Sequence, residues 1–237
     1  MGILTAMRSL LGNGAGLAAS VLFVFGVIGA ANACMKGGIF AAATARKAIH
    51  IALAHWWLIA MALFDDPWAA SAGPAASLLA AAAIPGMRIL PPGGSGLDRR
   101  QGRDTGTMLY SASLLVLVNV CWRGVLPVWV GAIGVLIMGW GDGLAGLIGA
   151  RPGAAGVRIW GQRKTVRGTV VMFLASFAVT LILTLLFNHR ASAAVPAGVI
   201  SVSTAAAATF LELFTPLGLD NLTVSVGTAF LYAGAFA

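Results

Sequence analysis

Long uncharged apolar runs constrain the fold of this chain more than any other feature. Residues 169–187 (TVVMFLASFAVTLILTLLF) form nineteen consecutive positions without a charge. About 20 such residues in a helix cross the ~30 Å hydrocarbon core of a bilayer. The runs are longer than the ~10 residues of a barrel strand and lack its alternation, so the spans are helical. Composition agrees, because 59% of the residues are hydrophobic and 9% are charged, against about 25% charged in a soluble domain. With 15 basic and 7 acidic residues among 237, the chain cannot cover a soluble surface. That excludes a soluble enzyme, a secreted disulfide scaffold and a disordered tail. The sequence predicts an all-α, polytopic membrane bundle forming a single transmembrane domain over residues 1–237.

Eight spans are predicted, at about 13–33, 48–64, 68–87, 106–122, 125–145, 169–187, 194–214 and 222–236. The fourth and eighth lie near the lower limit of ~17 residues, so seven is the alternative count. The first is too long and too glycine-rich for a cleaved signal. No internal repeat supports an inverted-repeat transporter. Charge sets the orientation. Linkers at about 34–47, 88–105 and 150–168 carry Lys36, Arg46, Lys47, Arg88, Arg99, Arg100, Arg103, Arg151, Arg158, Arg163, Lys164 and Arg167. The opposite face receives Arg8, Arg123 and Arg190 with Asp65 and Asp66. Basic loops stay in the cytoplasm, so the N-terminus is expected outside, and the alternation favours an even count. The net charge of +8 then reflects topology, and no nucleic-acid partner is expected. Cys34 and Cys121 read as unpaired thiols. No organelle transit segment is evident, which makes a bacterial inner membrane the expected location.

Acidic residues are scarce, so their positions inform. Asp142, Glu212 and Asp220 fall within or at the cytoplasmic ends of apolar spans. A carboxylate at membrane depth is costly unless paired or solvated, and it is a functional candidate by default. Asp142 sits in GWGDGLAGLIG (139–149), whose Gly139 and Gly143 also have the spacing of a close helix crossing. QRKTVRGT (162–169) follows. An acid in a glycine-rich helix end, followed by cations and hydroxyls, suits a metal-bound polyphosphate: the acid holds Mg²⁺ and the cations clamp phosphate. It is no Walker A loop, because Gln162 stands where the lysine is required. RKAIH (46–50) opens the second span on the same face. Its plainer reading is a cationic interface anchor. His55, beside Trp56 and Trp57, reads as packing. Asp220 and Asn221 open the eighth span, where a helix cap is the plainer reading. Charge counting alone thus gathers four polar segments on one face, in a pocket whose walls open into lipid.

These segments, RKxxH (46–50), GDGLAGLIG (141–149), KTxxGT (164–169) and E…DNLT (212–223), resemble in this order the polyprenol kinase family. That family comprises the phytol, farnesol and dolichol kinases and the CTP-dependent diacylglycerol kinases. The middle pair is also similar to the wider cytidylyltransferase superfamily, and the flanking pair points to the kinase branch. The resemblance implies a membrane-embedded kinase that moves the γ-phosphoryl group of CTP, or another nucleotide, onto a lipid alcohol. It implies Asp142 as the metal carrier, catalytic together with Lys164, His50 and Glu212, and Asp220 as a second metal ligand. It implies Lys164 and Thr165 at the triphosphate, with Arg163, Arg167, Gly168 and Thr169 beside them. Arg46, Lys47 and His50 would line the pocket, and Glu212, Asp220 and Asn221 would complete it. His50, Glu212 and Asp220 are the candidate bases. Two departures stand out: Arg167 replaces a glutamate common in KTxxGT, and Ser225 replaces a proline common after DNLTV.

Two other activities are weighed. In a CTP:lipid-phosphate cytidylyltransferase the lipid phosphate would attack the α-phosphorus of CTP, and pyrophosphate would leave. A small cation-coupled transporter would spread polar residues through the midplane, whereas here the mid-span positions are almost wholly Ala, Leu, Val, Ile and Gly. A glycine-rich assembly factor would leave the clustered carboxylates and cations without a role. Lipid identity, nucleotide and oligomeric state are not legible.

Overall fold

The computed structural model describes residues 3–83, 105–149, 155–160, 162–188, 195–216 and 219–236, with backbone alone for 3–10. Arg88, Arg99, Arg100, Arg103, Arg151 and Arg190 lie outside the described residues, as does nearly all of the 88–105 loop.

The chain is a bundle of helices: α1 (Ile3–Lys36), α2 (Ala42–Ala54), α3 (Trp56–Leu63), α4 (Pro67–Ala83), α5 (Thr105–Trp122), α6 (Val128–Leu136), a π-helical turn (Ile137–Asp142), α7 (Gly143–Gly149), α8 (Val166–Phe187), α9 (Ala197–Phe214) and α10 (Asp220–Phe236). One antiparallel hairpin, β1 (Gly156–Ile159) with β2 (Gln162–Thr165), sits before α8. Local chemistry explains the ends. Gly38 takes φ +72 just past α1, the left-handed position that caps a helix without a Cβ penalty. The Asp66 carboxylate accepts the Ala69 amide at 2.7 Å, and Pro67 occupies the first helical position, where its missing N–H costs nothing.

Each predicted span overlays a rod of helix, and two rods are interrupted. The second span breaks at His55, whose Nδ1 lies 3.0 Å from the Ile51 carbonyl. The fifth runs through the π turn. Among the described residues, five helices are long and apolar enough to cross a membrane: Leu11–Lys36, Thr105–Trp122, Val128–Gly149, Val166–Phe187 and Ala197–Phe214. The expected count of eight is not established by the helices of the bundle, five of which meet the length and hydropathy of a span. The α2–α3 rod is split, and α4 and α10 each have 17 residues. The fourth span, marked as short, reaches 18 residues. The 150–168 segment is not wholly a loop: residues 156–159 pair with 162–165.

Val128–Gly149 is the axis of the bundle, with 67% of its apolar window buried, against 17% for α1. Trp57 is fully buried against it and donates its indole N–H to the Val128 carbonyl at 3.0 Å. Gly139 and Gly143 do let helices approach: a Cβ on either would run into Ala54 or Ile51 of the α2 helix. Large apolar side chains such as Leu22, Leu174 and Ile182 are exposed on the outside, as on a surface solvated by lipid tails. Both cysteines are free thiols.

The two ends of the bundle differ. At one, Asn13 bonds Asp65, Trp122 bonds the Phe64 carbonyl, Arg123 lies 5.4 Å from the Trp68 ring centre, and Asn188 bonds the Phe236 carbonyl. At the other, the carboxylates, lysines and hairpin gather around a cavity. The rods thus alternate in direction, as the charge pattern requires.

Candidate active site

Four sequence segments converge on one cavity of about 910 Å³. The α2 helix brings Arg46, Lys47 and His50. The π turn ends on Asp142, and its extra residue re-aims that side chain relative to the helix before it, a feature frequent at functional sites. The hairpin and the start of α8 bring Arg163, Lys164, Thr165, Gly168 and Thr169. The ends of α9 and α10 bring Glu212, Asp220 and Asn221. Among the sequence-predicted residues Arg167 alone stands apart: it is exposed in the first turn of α8 and does not line the cavity.

The charges are prepaired. Lys47 Nζ lies 2.6 Å from Asp142 Oδ2 and 3.4 Å from the Asp142 carbonyl. This reach needs Gly146, because a Cβ there would lie 2.9 Å from that Nζ. His50 Nε2 is 3.8 Å from the same carboxylate oxygen, and a hydrogen bond to the Met138 backbone steadies the ring. Lys164 donates to the Glu212 carboxylate and, at 2.9 Å, to the Glu212 carbonyl. Both members of that pair are nearly buried. A paired carboxylate can reside at such depth where a lone one cannot. Asp220 accepts the Asn221 amide at 3.1 Å, and the Asn221 side chain donates to the Gly106 carbonyl at 2.9 Å. Asn221 therefore also ties α10 to the start of α5. Thr165 caps α8: its Oγ1 accepts the Gly168 amide at 3.1 Å and donates to the Gly149 carbonyl at 3.2 Å. The KTxxGT pattern is thus a strand end running into a helix cap, and it is welded to the end of the GDGLAGLIG helix.

Beyond this charged end the walls turn apolar. Val21, Val24 and Phe25 of α1, Leu53 and Trp56, Ala80 of α4 and Leu114 of α5 continue the same cavity. The sequence reading did not include α1, α4 or α5 in the site. They contribute apolar side chains with scattered hydroxyls, Ser20 of α1, Ser77 of α4 and Thr105, Thr107, Tyr110 and Ser111 of α5, which form no motif. His55 lies outside the cavity, with its Nε2 3.2 Å from the Trp140 indole nitrogen, which agrees with the packing reading.

No family model matches the chain, and no solved structure matches it. A phytol kinase from Synechocystis sp. is 37% identical over 194 residues, which covers 81% of this chain and 79% of that protein. Likeness at that identity, running through most of both chains, reaches well beyond a shared hydropathy pattern. The chain belongs to the polyprenol kinase family, in which the phytol kinases fall.

Proposed function

We propose that this protein is a membrane-embedded lipid-alcohol kinase. It transfers the γ-phosphoryl group of a nucleoside triphosphate, with CTP first among the donors, to the hydroxyl of a phytol- or polyprenol-type alcohol, with diacylglycerol as the alternative acceptor. Its single domain spans residues 1–237, and its site faces the cytoplasm of a bacterial inner membrane, with the N-terminus outside and eight crossings. The observation that carries this reading is the cavity itself: one charged end rich in cations, continuous with apolar walls. A water-soluble polyanion and a membrane-dissolved alcohol can meet only in such a place.

Arg46, Lys47, Arg163 and Lys164 supply cations to the phosphates, with the Thr165 and Thr169 hydroxyls and the Gly168 backbone beside them. Arg46 Nε is buried without a hydrogen-bond partner among the described residues, a donor left for an incoming oxygen. Lys47 and Lys164 are held in place by Asp142 and Glu212, so their charge is positioned before substrate arrives. His50 Nε2 is likewise unpartnered. The Glu212 carboxylate is already held by Lys164, which favours His50 over Glu212 as the group that takes the proton from the alcohol.

The donor set fits Mg²⁺. Asp142 spends one carboxylate oxygen on Lys47, and Asp220 meets only a backbone amide among the described residues. No group of three or more ligating side chains occurs among the described residues. Magnesium commonly takes one or two carboxylates, with phosphate oxygens and water completing the shell. Asp142 and Asp220 would hold it, and when bound it would neutralise charge on the transferring phosphoryl group.

The test is a transfer assay in nanodiscs with Mg²⁺. CTP, ATP and UTP, each labelled at the γ or the α position, are offered with phytol, farnesol, a longer polyprenol and diacylglycerol. Movement of γ-label to a lipid is expected. Incorporation of α-label into a lipid phosphate with release of pyrophosphate would instead make the protein a cytidylyltransferase, and no transfer of either label would overturn the enzyme reading.

A further inference from the structure

Three buried polar atoms on the cavity walls lack a hydrogen-bond partner among the described residues: Arg46 Nε, His50 Nε2 and the Tyr110 hydroxyl. Buried polar groups are nearly always paired, and an orphan costs about 1–3 kcal/mol. Arg46 and His50 belong to motifs already assigned to the phosphate end. Tyr110 belongs to none, and its place is informative. It is 9% exposed, and its ring centre lies 5.0 Å from that of His50. On α5 the cavity is lined by Thr105, Gly106, Thr107 and Leu109 up to Tyr110, and beyond it by Ser111, whose hydroxyl is spent on Ser77, and by Leu114. On the second rod it is lined by Arg46 and Lys47 before His50, and by Leu53 and Trp56 beyond it. The second rod thus steps from charged to apolar past His50, and on α5 Tyr110 stands at the same level with a hydroxyl unpartnered among the described residues.

An amphiphilic alcohol in this cavity has its tail along the apolar walls and its hydroxyl at that step. We propose that the Tyr110 hydroxyl is the acceptor-binding group: it donates a hydrogen bond to the oxygen of the lipid alcohol and holds that oxygen beside His50 Nε2, facing the phosphate end. Tyrosine suits the step, because its ring packs with the apolar wall while its hydroxyl serves the polar side. The assignment rests on the lipid-alcohol reading of the cavity and adds the residue that distinguishes an alcohol from a hydrocarbon. A site built to hydrogen-bond a hydroxyl rejects the analogue without one, because its own polar group is then left unpaired.

Tyr110→Phe removes only the hydroxyl and keeps the ring against His50. Wild type and variant in nanodiscs are titrated without nucleotide, using phytol and its hydroxyl-free hydrocarbon phytene. Binding is followed by tryptophan fluorescence, because Trp56 lines the cavity. The variant should bind phytol about tenfold more weakly, bind phytene as wild type does, and show a raised KM for the alcohol with the nucleotide KM unchanged. Equal weakening for both lipids would mean that Tyr110 only shapes the cavity, and unchanged phytol binding would mean that its hydroxyl faces no ligand. Either result overturns the assignment. Wild-type binding of phytol that depends on Tyr110, without γ-transfer, would support the contact while removing the kinase reading.

Discussion

Asp142 receives the Lys47 ammonium on one oxygen, has His50 beside it, and ends a π turn in the most enclosed span of the bundle. Its position was legible because charge is scarce: an acid within an apolar run has to be paired or used, and here the pairing is itself part of the cavity. Asp142→Ala should lower phosphoryl transfer by more than about 100-fold, the scale of losing a central electrostatic group. The variant should still elute as a folded particle, and near-normal transfer rates would remove Asp142 from the chemistry. Gly146 gives a subtler test. An added Cβ would touch only the mobile end of Lys47, so Gly146→Ala should spare thermal stability and cut the transfer rate about tenfold by moving the ammonium off Asp142. A large fall in melting temperature with an unchanged rate would contradict that. Tyr110 was not legible. Tyrosine near a span end is ordinary at a membrane interface, and its distinguishing feature, a buried hydroxyl without a partner among the described residues, exists only once the fold sets its ring against His50.

At the scale of elements, the sequence placed the rods and missed their interruptions. The break at His55, the π turn and the hairpin arise from backbone hydrogen bonds that competing side chains or tertiary packing redirect, and an apolar run carries no mark of them. The 162–169 stretch read as a basic connector with chemistry in it. Its structure is a strand edge closing on a helix cap, and Thr165 is the hinge of both. Thr165→Ser should keep the cap bond and the bond to Gly149, with stability and transfer close to wild type. Thr165→Val should lose both bonds, which lowers stability by about 1–2 kcal/mol and reduces transfer by disturbing Lys164 next to it. Thermal unfolding in detergent, read beside the initial rate, separates the two variants. Indistinguishable Ser and Val variants would mean that the hydroxyl is dispensable.

At the scale of the whole molecule, apolar run length and loop charge fixed what those quantities can fix: the rods and their alternation. Which rods neighbour one another was not legible, because helices in lipid associate through small residues and local packing that leave weak periodic signals. The structure supplies the pairing, and with it two ends of different character. One end carries Lys47, Asp142, Lys164 and Glu212, and the other carries Asp65, Arg123 and Asn188. The basic excess of the site end predicts that this end faces the cytoplasm, where nucleotide is available. Cysteine accessibility tests it in a Cys34→Ser background, with Cys121 retained because it is buried. Val125 and Val157 are 66% and 62% exposed, at opposite ends of the bundle. With a membrane-impermeant thiol reagent, Val125→Cys should label in intact cells, and Val157→Cys only after the membrane is opened. The reverse pattern would place the cavity outside and separate it from cellular nucleotide, and labelling of both residues from one side would require an odd number of crossings between the α5–α6 turn and the hairpin to be replaced by an even one.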